Sequence, residues 1–284
     1  MAPSLLLLKS EEEKNQNNGT RRLEMKDKCP EGDFGFFSAH LDGEVLHIRF
    51  RENLLEHLAN LYKRDVVAKF SSQVLKSRDV KVILLNSDFQ EAGCEAYTRF
   101  FLKGSQAGSS LDLHRLCNIT SQLVLSIIDM DRIVIHACKG NVISLFLNVS
   151  LACDYRIAAD NTMFCNPYID LGMMPIGGGP YLLSKIMGTG KAWETLLLRK
   201  DINALNALEL GLVDRVVPSE NLDIEAINIA SKFASNHSGT ISGIKKLMNF
   251  SKKDLKEYFE TEQHEIFKIL NSSDFSGRHH DPCC

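Results

Sequence analysis

The sequence predicts an α/β protein in which short buried strands alternate with amphipathic helices. Short apolar runs at residues 45–50, 80–85 and 133–138 are typical of buried strands. Residues 54–75 carry apolar side chains at helical spacing, and the spacing is again helical from 226 to 270. Strands that alternate with helices pair mainly in parallel and in right-handed βαβ units, so we expect a largely parallel sheet.

The order of these elements divides the 284 residues into one domain with accessory segments. Residues 1–33 are charged and rich in asparagine without apolar periodicity, and they predict a disordered leader. Residues 34–225 form the predicted core. Residues 226–270 form a C-terminal helical region, and the polar residues 271–284 form a flexible tail.

Composition excludes several classes of partner. A net charge of −3 gives no general basic field, which argues against a nucleic acid or an anionic membrane as partner. No window approaches the roughly 18 apolar residues of a membrane span. The apolar run Leu5 to Leu8 is too short for a signal peptide and acidic residues follow it. We therefore expect a cytoplasmic protein.

The cysteines and the tail suggest no metal site. Five of the eight cysteines lie in apolar or periodic segments of a large chain, which favours reduced, buried thiols. The tail pairs His279-His280 and Cys283-Cys284 could bind a metal or accept a lipid, but a flexible tail offers no fixed geometry. We predict that the tail is simply solvated.

Three segments carry the most specific pattern in the chain. They are ACDYRIA at residues 152–158, NPYIDLGMMPIGGG at 166–179 and ALELGLVDRVVP at 207–218. Together they resemble the crotonase (enoyl-CoA hydratase/isomerase) family over about residues 44–250. The resemblance implies a spiral of ββα units, with C-terminal helices that pack on a neighbouring subunit in a trimer or a hexamer.

The spacing of this pattern locates the positions of the family's two catalytic glutamates. In the family a glycine precedes the aspartate of a Cys-Asp pair by fourteen residues, as Gly140 precedes Asp154 here. The first glutamate lies eight residues after that glycine, where this chain has Asn148. The second lies fourteen residues after the aspartate, where it has Tyr168. Both glutamates of a hydratase are therefore absent.

The resemblance also implies an oxyanion hole, in which two backbone N–H groups hold the enolate oxygen of a thioester. Ala92 and Leu145 match the two donors, and Gly93 and Gly140 lie beside them where the thioester binds. Leu145 and Phe146 stand in place of the family's glycine run. Their side chains either point into the core or fill the acyl pocket, and we expect the second.

The residues at these positions suit enolate stabilisation better than hydration. Hydration needs two carboxyl groups, whereas Asn148 cannot ionise and tyrosine has a reference pKa of about 10. The predicted catalytic residues are therefore Ala92, Leu145, Asn148 and Tyr168, with Glu91, Glu95, Tyr97 and His114 as weaker candidates for replacement groups. The alternative is that Asn148 and Tyr168 are polar core residues with local partners.

We therefore predict an enzyme that acts on a thioester of CoA or of acyl-carrier protein and needs no cofactor. Decarboxylation is the preferred reaction, because loss of carbon dioxide forms an enolate without a base. Thioester hydrolysis and double-bond isomerisation are the neighbouring possibilities. The alternative function is a non-catalytic scaffold, whose pocket has closed and whose role is self-association or partner binding.

Overall fold

A computed structural model describes residues 29–51, 61–89, 97–99, 110–198, 201–250 and 252–272. The predicted α/β class is confirmed. The strands of these residues are β1 Gly32–Asp33, β2 Phe37–Asp42, β3 Val45–Phe50, β4 Val82–Phe89, β5 Ile133–Ile143, β6 Tyr155–Ala159, β7 Met163–Cys165, β8 Ile202–Asn203 and β9 Arg215–Val217. The helices are α1 Leu61–Lys76, α2 Ser110–Asp129, α3 Ser144–Leu151, α4 Gly179–Met187, α5 Thr189–Leu197, α6 Ala204–Glu209, α7 Leu222–Ala234, α8 Ser238–Met248 and α9 Lys252–Leu270.

The sheet has the order β1-β2-β3-β4-β5-β6-β9. Strands β1 to β3 form an antiparallel meander, and β3, β4, β5, β6 and β9 pair in parallel, as predicted. The last three residues of β5 pair with β7 instead, and β7 pairs with β8. Strand β5 therefore belongs to two sheets and carries the chain from the main sheet to helix α3.

Side chains alternate between the two faces of the sheet, because successive residues of a strand point to opposite sides. On β4, Ile83 and Leu85 belong to the larger hydrophobic cluster, which includes helices α1 to α4. Val82 and Leu84 belong to a second cluster, in which helix α7 covers the other face. The apolar run of this strand is thus continuous because both faces are buried.

Helix α7 packs on the sheet of its own chain. Its buried residues Leu222, Ala226, Ile229 and Ala230 recur at helical spacing and contact the second face. The boundary predicted between residues 225 and 226 falls inside this helix, because Leu222 and Ala226 are one turn apart on the same buried side. The predicted helical region from 226 to 270 otherwise corresponds to most of α7 and to α8 and α9.

Residues 29–33, which the sequence assigned to a disordered leader, are ordered. Strand β1 pairs with β2, and Cys29 is buried. The Glu31 carboxylate accepts a hydrogen bond from the Leu41 backbone N–H at 2.9 Å, which lowers its pKa. Composition missed this strand because two residues cannot show a period. Residues 1–28 and 273–284 lie outside the described residues.

Two aspartates of the family pattern hold the fold together. Asp154 accepts hydrogen bonds from the Val134 backbone N–H at 2.7 Å and from the Lys245 Nζ of α8 at 2.6 Å. Asp214 accepts one from the Arg156 backbone N–H at 2.8 Å. Each carboxylate therefore ties a strand to a distant segment, which explains its place in the pattern without a catalytic role.

Two further features of the described residues concern the cysteines and the length of the helices. Cys29, Cys117, Cys138, Cys153 and Cys165 are buried and free of disulfides. Within the described part of the chain, no helix has both the length and the apolar content that crossing a membrane requires.

Candidate active site

The start of helix α3 is the first element of the site. Gly140 has a φ of +73° where β5 leaves its pairing with β4, a conformation that suits glycine. Ile143 is the N-cap residue of the helix, and its side chain makes no capping hydrogen bond. The N–H groups in the first turn of a helix lack intrahelical partners and favour an anion. The Leu145 N–H lies in that first turn, and its role as an oxyanion-hole donor stays a prediction.

The Leu145 side chain points into the core, which is the first of the two alternatives left open by the sequence. It is 1% exposed and lies in the larger hydrophobic cluster, so it is a core residue. It also lines a cavity of about 110 Å³, together with Phe146. Most of the other lining residues are apolar side chains of β2 to β5 and of α1 and α2. A cavity of this size with a mainly apolar lining can hold a small apolar group.

A chain of buried polar side chains lies on the wall of this cavity. His136 on β5 has its Nε2 2.8 Å from the Ser87 Oγ of β4, and its Nδ1 2.6 Å from the Ser150 Oγ of α3. Burial and, to a smaller extent, the positive charge of the neighbouring Arg156 lower the pKa of His136 to about 4. The imidazole is therefore neutral at pH 7, with a serine hydroxyl at each ring nitrogen.

Asn148, at the position of the first glutamate, is held by structural contacts. Its side chain is 2% exposed, and its Nδ2 donates a hydrogen bond to the Ile176 carbonyl oxygen at 2.9 Å. The amide also lies against Gly179, where a Cβ atom would stand 2.7 Å from the Asn148 Nδ2. The side chain thus fastens α3 to the turn before α4, and its amide cannot take up or release a proton at neutral pH.

Tyr168, at the position of the second glutamate, is also engaged. The side chain is 1% exposed, and its hydroxyl donates a hydrogen bond to the Leu196 carbonyl oxygen of α5 at 3.2 Å. Burial raises the pKa of this phenol well above its ordinary value. A base that must ionise at neutral pH cannot come from this residue.

The glycine turn before α4 binds a carboxylate from the far end of the chain. The Gly177 and Gly178 N–H groups each donate a hydrogen bond of 2.8 Å to Glu262, one to each carboxylate oxygen. Both glycines have positive φ, at +90° and +84°. Two successive N–H groups in this conformation form a concave anion site, and the start of α4 adds its dipole. Glu262 is 2% exposed.

Helix α9 brings this glutamate into the interior. Its buried residues Leu255, Phe259, Glu262 and Ile266 are spaced by four, three and four positions, so the carboxylate stands in an otherwise apolar stripe. Flanking contacts fix the helix on α2 of its own chain. The His114 and Phe267 rings stack at 3.3 Å between centroids, and the Gln263 Nε2 donates a hydrogen bond to Asn118 at 2.8 Å.

Part of the predicted site lies outside the described residues. This applies to the donor Ala92, to Gly93 and to the weaker candidates Glu91 and Glu95. Of the remaining weaker candidates, Tyr97 is buried, and His114 packs on α9 as described above. The described residues contain no group of three or more His, Cys, Asp or Glu side chains that could hold a metal ion, and the cysteines of the tail lie outside them.

This geometry can be compared with known proteins. A family model described as enoyl-CoA hydratase/isomerase matches residues 56–279, well over half of the chain. The chain belongs to this family. Membership agrees with the α/β architecture of the described residues.

Individual relatives of the family differ in reaction. A short-chain-enoyl-CoA hydratase of Clostridium acetobutylicum is 33% identical over 120 residues, which are 42% of this chain and 46% of that protein. A trans-2-decenoyl-[acyl-carrier-protein] isomerase of Streptococcus mutans is 22% identical over 173 residues, 61% of this chain and 66% of that protein. The chain matches somewhat less than half the length of the first of these relatives.

A solved structure of the family establishes the fold. The crystal structure of an enoyl-CoA hydratase from Bacillus halodurans has a TM-score of 0.75 and 20% identity to this chain. The superposition covers 85% of this chain and 98% of the other. The spiral α/β fold implied by the sequence is therefore confirmed.

Sequence reasoning missed two polar groups of the site. Glu262 had a detectable signal, a carboxylate within the apolar stripe formed by Leu255, Phe259 and Ile266. His136 carried a weaker one, a histidine within a buried strand. Many buried histidines are simply hydrogen-bonded core residues. Only the distances to Ser87 and Ser150 show that this one belongs to a chain of polar side chains on the cavity wall.

Proposed function

We propose that the protein binds an acyl thioester of CoA or acyl-carrier protein and stabilises its enolate without adding water. The proposal rests on the burial and the hydrogen bonds of the Asn148 and Tyr168 side chains. Both are buried and held by hydrogen bonds to backbone carbonyl groups, and neither can serve as a carboxylate. A hydratase needs two carboxyl groups at these positions.

The start of α3 supports retention of the anion site. The Leu145 N–H lies in the uncapped first turn, where an enolate oxygen can accept a hydrogen bond in a low-dielectric interior. The adjoining cavity of about 110 Å³ gives an apolar acyl group a place next to this donor. Enolate chemistry that needs no water, either decarboxylation or the shift of a double bond, fits these features. The Streptococcus mutans relative is described as an isomerase of the second type.

We also propose self-association as a trimer or hexamer in the cytoplasm. Several large apolar side chains are exposed, which often marks a protein interface. They include Trp193 and Leu197 one turn apart on α5, and Leu247, Met248 and Phe250 at the end of α8. The helices after residue 226 thus contribute both to the core of their own chain and to a surface that a second copy can cover.

Two measurements on the purified protein test the proposed function. Calorimetric titration with butyryl-CoA should show binding, and incubation with crotonyl-CoA should show no hydration. Hydration at an ordinary enzymatic rate, above about 1 s⁻¹, would contradict the assignment. Absence of thioester binding, with butyryl-CoA and with a carrier-protein thioester, would favour the non-catalytic scaffold.

A further inference from the structure

Glu262 is a buried carboxylate that backbone N–H groups hold in place. Among the described residues, no Lys, Arg or His forms an ion pair with it, and its hydrogen bonds come from two backbone N–H groups. The Tyr258 hydroxyl lies near the same carboxyl group, buried without a hydrogen-bond partner of normal geometry in the described part of the chain. Burial raises the pKa of Glu262, and the two N–H groups offset part of that rise.

Glu262 lies close to Asn148, the residue that stands at the position of the family's first glutamate. Its hydrogen-bond partner Gly177 packs between three side chains of the site. A Cβ atom on Gly177 would lie 2.6 Å from the Thr120 Cγ2, 3.7 Å from the Asn148 Cβ and 3.9 Å from the Leu145 Cδ1. Thr120 and Leu145 also line the apolar cavity. Catalysis by Glu262 requires that an acyl chain in the cavity place its first carbons at the Gly177 turn, which adjoins the cavity through Thr120 and Leu145.

We propose that Glu262 is the catalytic acid and base of this protein and replaces, from the C-terminal helix, the carboxyl groups absent at positions 148 and 168. This assignment rests on the proposed function and narrows it to isomerisation. One carboxyl group is sufficient for that reaction, because the same group can remove a proton from one carbon and return it to another. A carboxylate also retains free lone pairs after accepting two hydrogen bonds.

The step balances without any other reactant. The Glu262 carboxylate removes a proton from C2 of a 3-enoyl thioester, so the C2–H bond breaks and an O–H bond forms. The electron pair enters a dienolate, whose negative oxygen accepts a hydrogen bond from the Leu145 N–H. The carboxyl group then gives its proton to C4, and the double bond moves to C2–C3. Nothing is oxidised or reduced.

An alternative role for Glu262 is to fasten α9 to the start of α4, and the two roles predict different results. Glu262→Gln keeps the size of the side chain and one acceptor oxygen for the turn, but it cannot take up a proton. Glu260→Gln is the matched control, because Glu260 is exposed on the same helix. A fastening role would change the melting temperature and leave turnover of the folded protein intact.

The experiment measures deuterium entry at C2 of butyryl-CoA in D₂O, a readout of proton transfer alone, together with isomerisation of 3-hexenoyl-CoA. We expect Glu262→Gln to slow both by roughly 10²- to 10⁴-fold, with butyryl-CoA binding within threefold of the wild type, and Glu260→Gln to change neither. Wild-type exchange should decline on acidification, with an inflection above the ordinary pKa of glutamate. If Glu262→Gln does not fold, Glu262→Asp, which withdraws the carboxylate by one methylene, should slow exchange at least tenfold.

The outcomes separate this assignment from the proposed function. If the wild type binds thioesters but Glu262→Gln or Glu262→Asp exchanges deuterium at the wild-type rate, the assignment of Glu262 is wrong and the proposed function stands. If the wild type binds thioesters and shows no exchange, the assignment is again wrong and decarboxylation remains. If the wild type binds no thioester, both are wrong.

Discussion

The two faces of the sheet are built from different residues. The face under α7 is packed with aliphatic and small side chains, including Ala137, Ala159, Ala226 and Ala230. The opposite face, under α1 to α3, packs larger side chains and leaves a cavity of about 110 Å³.

Both faces also carry buried polar side chains. On the α7 face, the Asn86 Nδ2 donates a hydrogen bond to the Asp223 carboxylate of α7 at 3.2 Å. On the opposite face, the hydrogen-bonded chain of Ser87, His136 and Ser150 lines the cavity.

Glu262 binds the Gly177 turn, which packs against Thr120 and Leu145 of the cavity lining. These polar groups of the two faces are hydrogen-bonded, so the feature that reduces stability is the cavity, whose lining lacks packing partners. We infer that the face under α1 to α3 gives up some packing stability for a site.

Truncation of Leu145 should give the largest effect on this comparison. Because the side chain is fully buried in the larger cluster, Leu145→Ala should lower the free energy of unfolding by about 2 to 5 kcal/mol. It should also enlarge the cavity and strengthen binding of acyl-CoA esters with longer chains. Urea unfolding and calorimetric titration measure the two quantities, with Leu205→Ala at an exposed leucine as control.

A large loss of stability with unchanged thioester binding would show that Leu145 serves packing alone. The side chain would then contribute to stability alone, as the residues of the α7 face do, although it lies on the opposite side of the sheet.

The buried histidine should make the cavity face sensitive to acid. His136 has a pKa of about 4 in the folded protein, against an ordinary 6.5, so the unfolded chain binds its proton first as the pH falls. The free energy of unfolding therefore falls as the pH drops below 6.5, because the unfolded chain takes up the proton first. By pH 4 the loss is about 3 kcal/mol. Urea unfolding at pH 7 and pH 4.5 measures the loss.

His136→Gln removes this titration and is the appropriate comparison, because other groups of the chain also titrate in this range. If both proteins lose the same free energy of unfolding between the two pH values, the histidine is not buried in its neutral form.

Overpacking of the α7 face should give the smallest effect. Ala230 is fully buried between α7 and the sheet, so Ala230→Leu should cost about 1 to 3 kcal/mol in the free energy of unfolding. Thioester binding by the folded protein should not change, because the site lies on the other face. Asn228→Leu, at an exposed position of the same helix, is the control. Weakened binding in Ala230→Leu alone would mean that the two faces are coupled.

The sequence by itself determined the fold class and the positions of the main elements. Apolar runs marked β3, β4 and β5, because a strand buried on both faces carries apolar residues continuously. The count from Gly140 to Asp154 fixed the register, and the same count placed Asn148 and Tyr168 at the two glutamate positions. These features are local in the chain, and a local pattern is visible in the order of residues.

Tertiary structure alone decided which groups meet. Glu262 lies 85 residues along the chain from Gly177, and their hydrogen bond depends on the docking of α9 on α2. The direction of the Leu145 side chain and the pairing of His136 with two serines depend in the same way on packing between elements. Periodicity reports which side of a helix or strand is buried, but the partner of a buried charge is set by contacts between segments far apart in sequence.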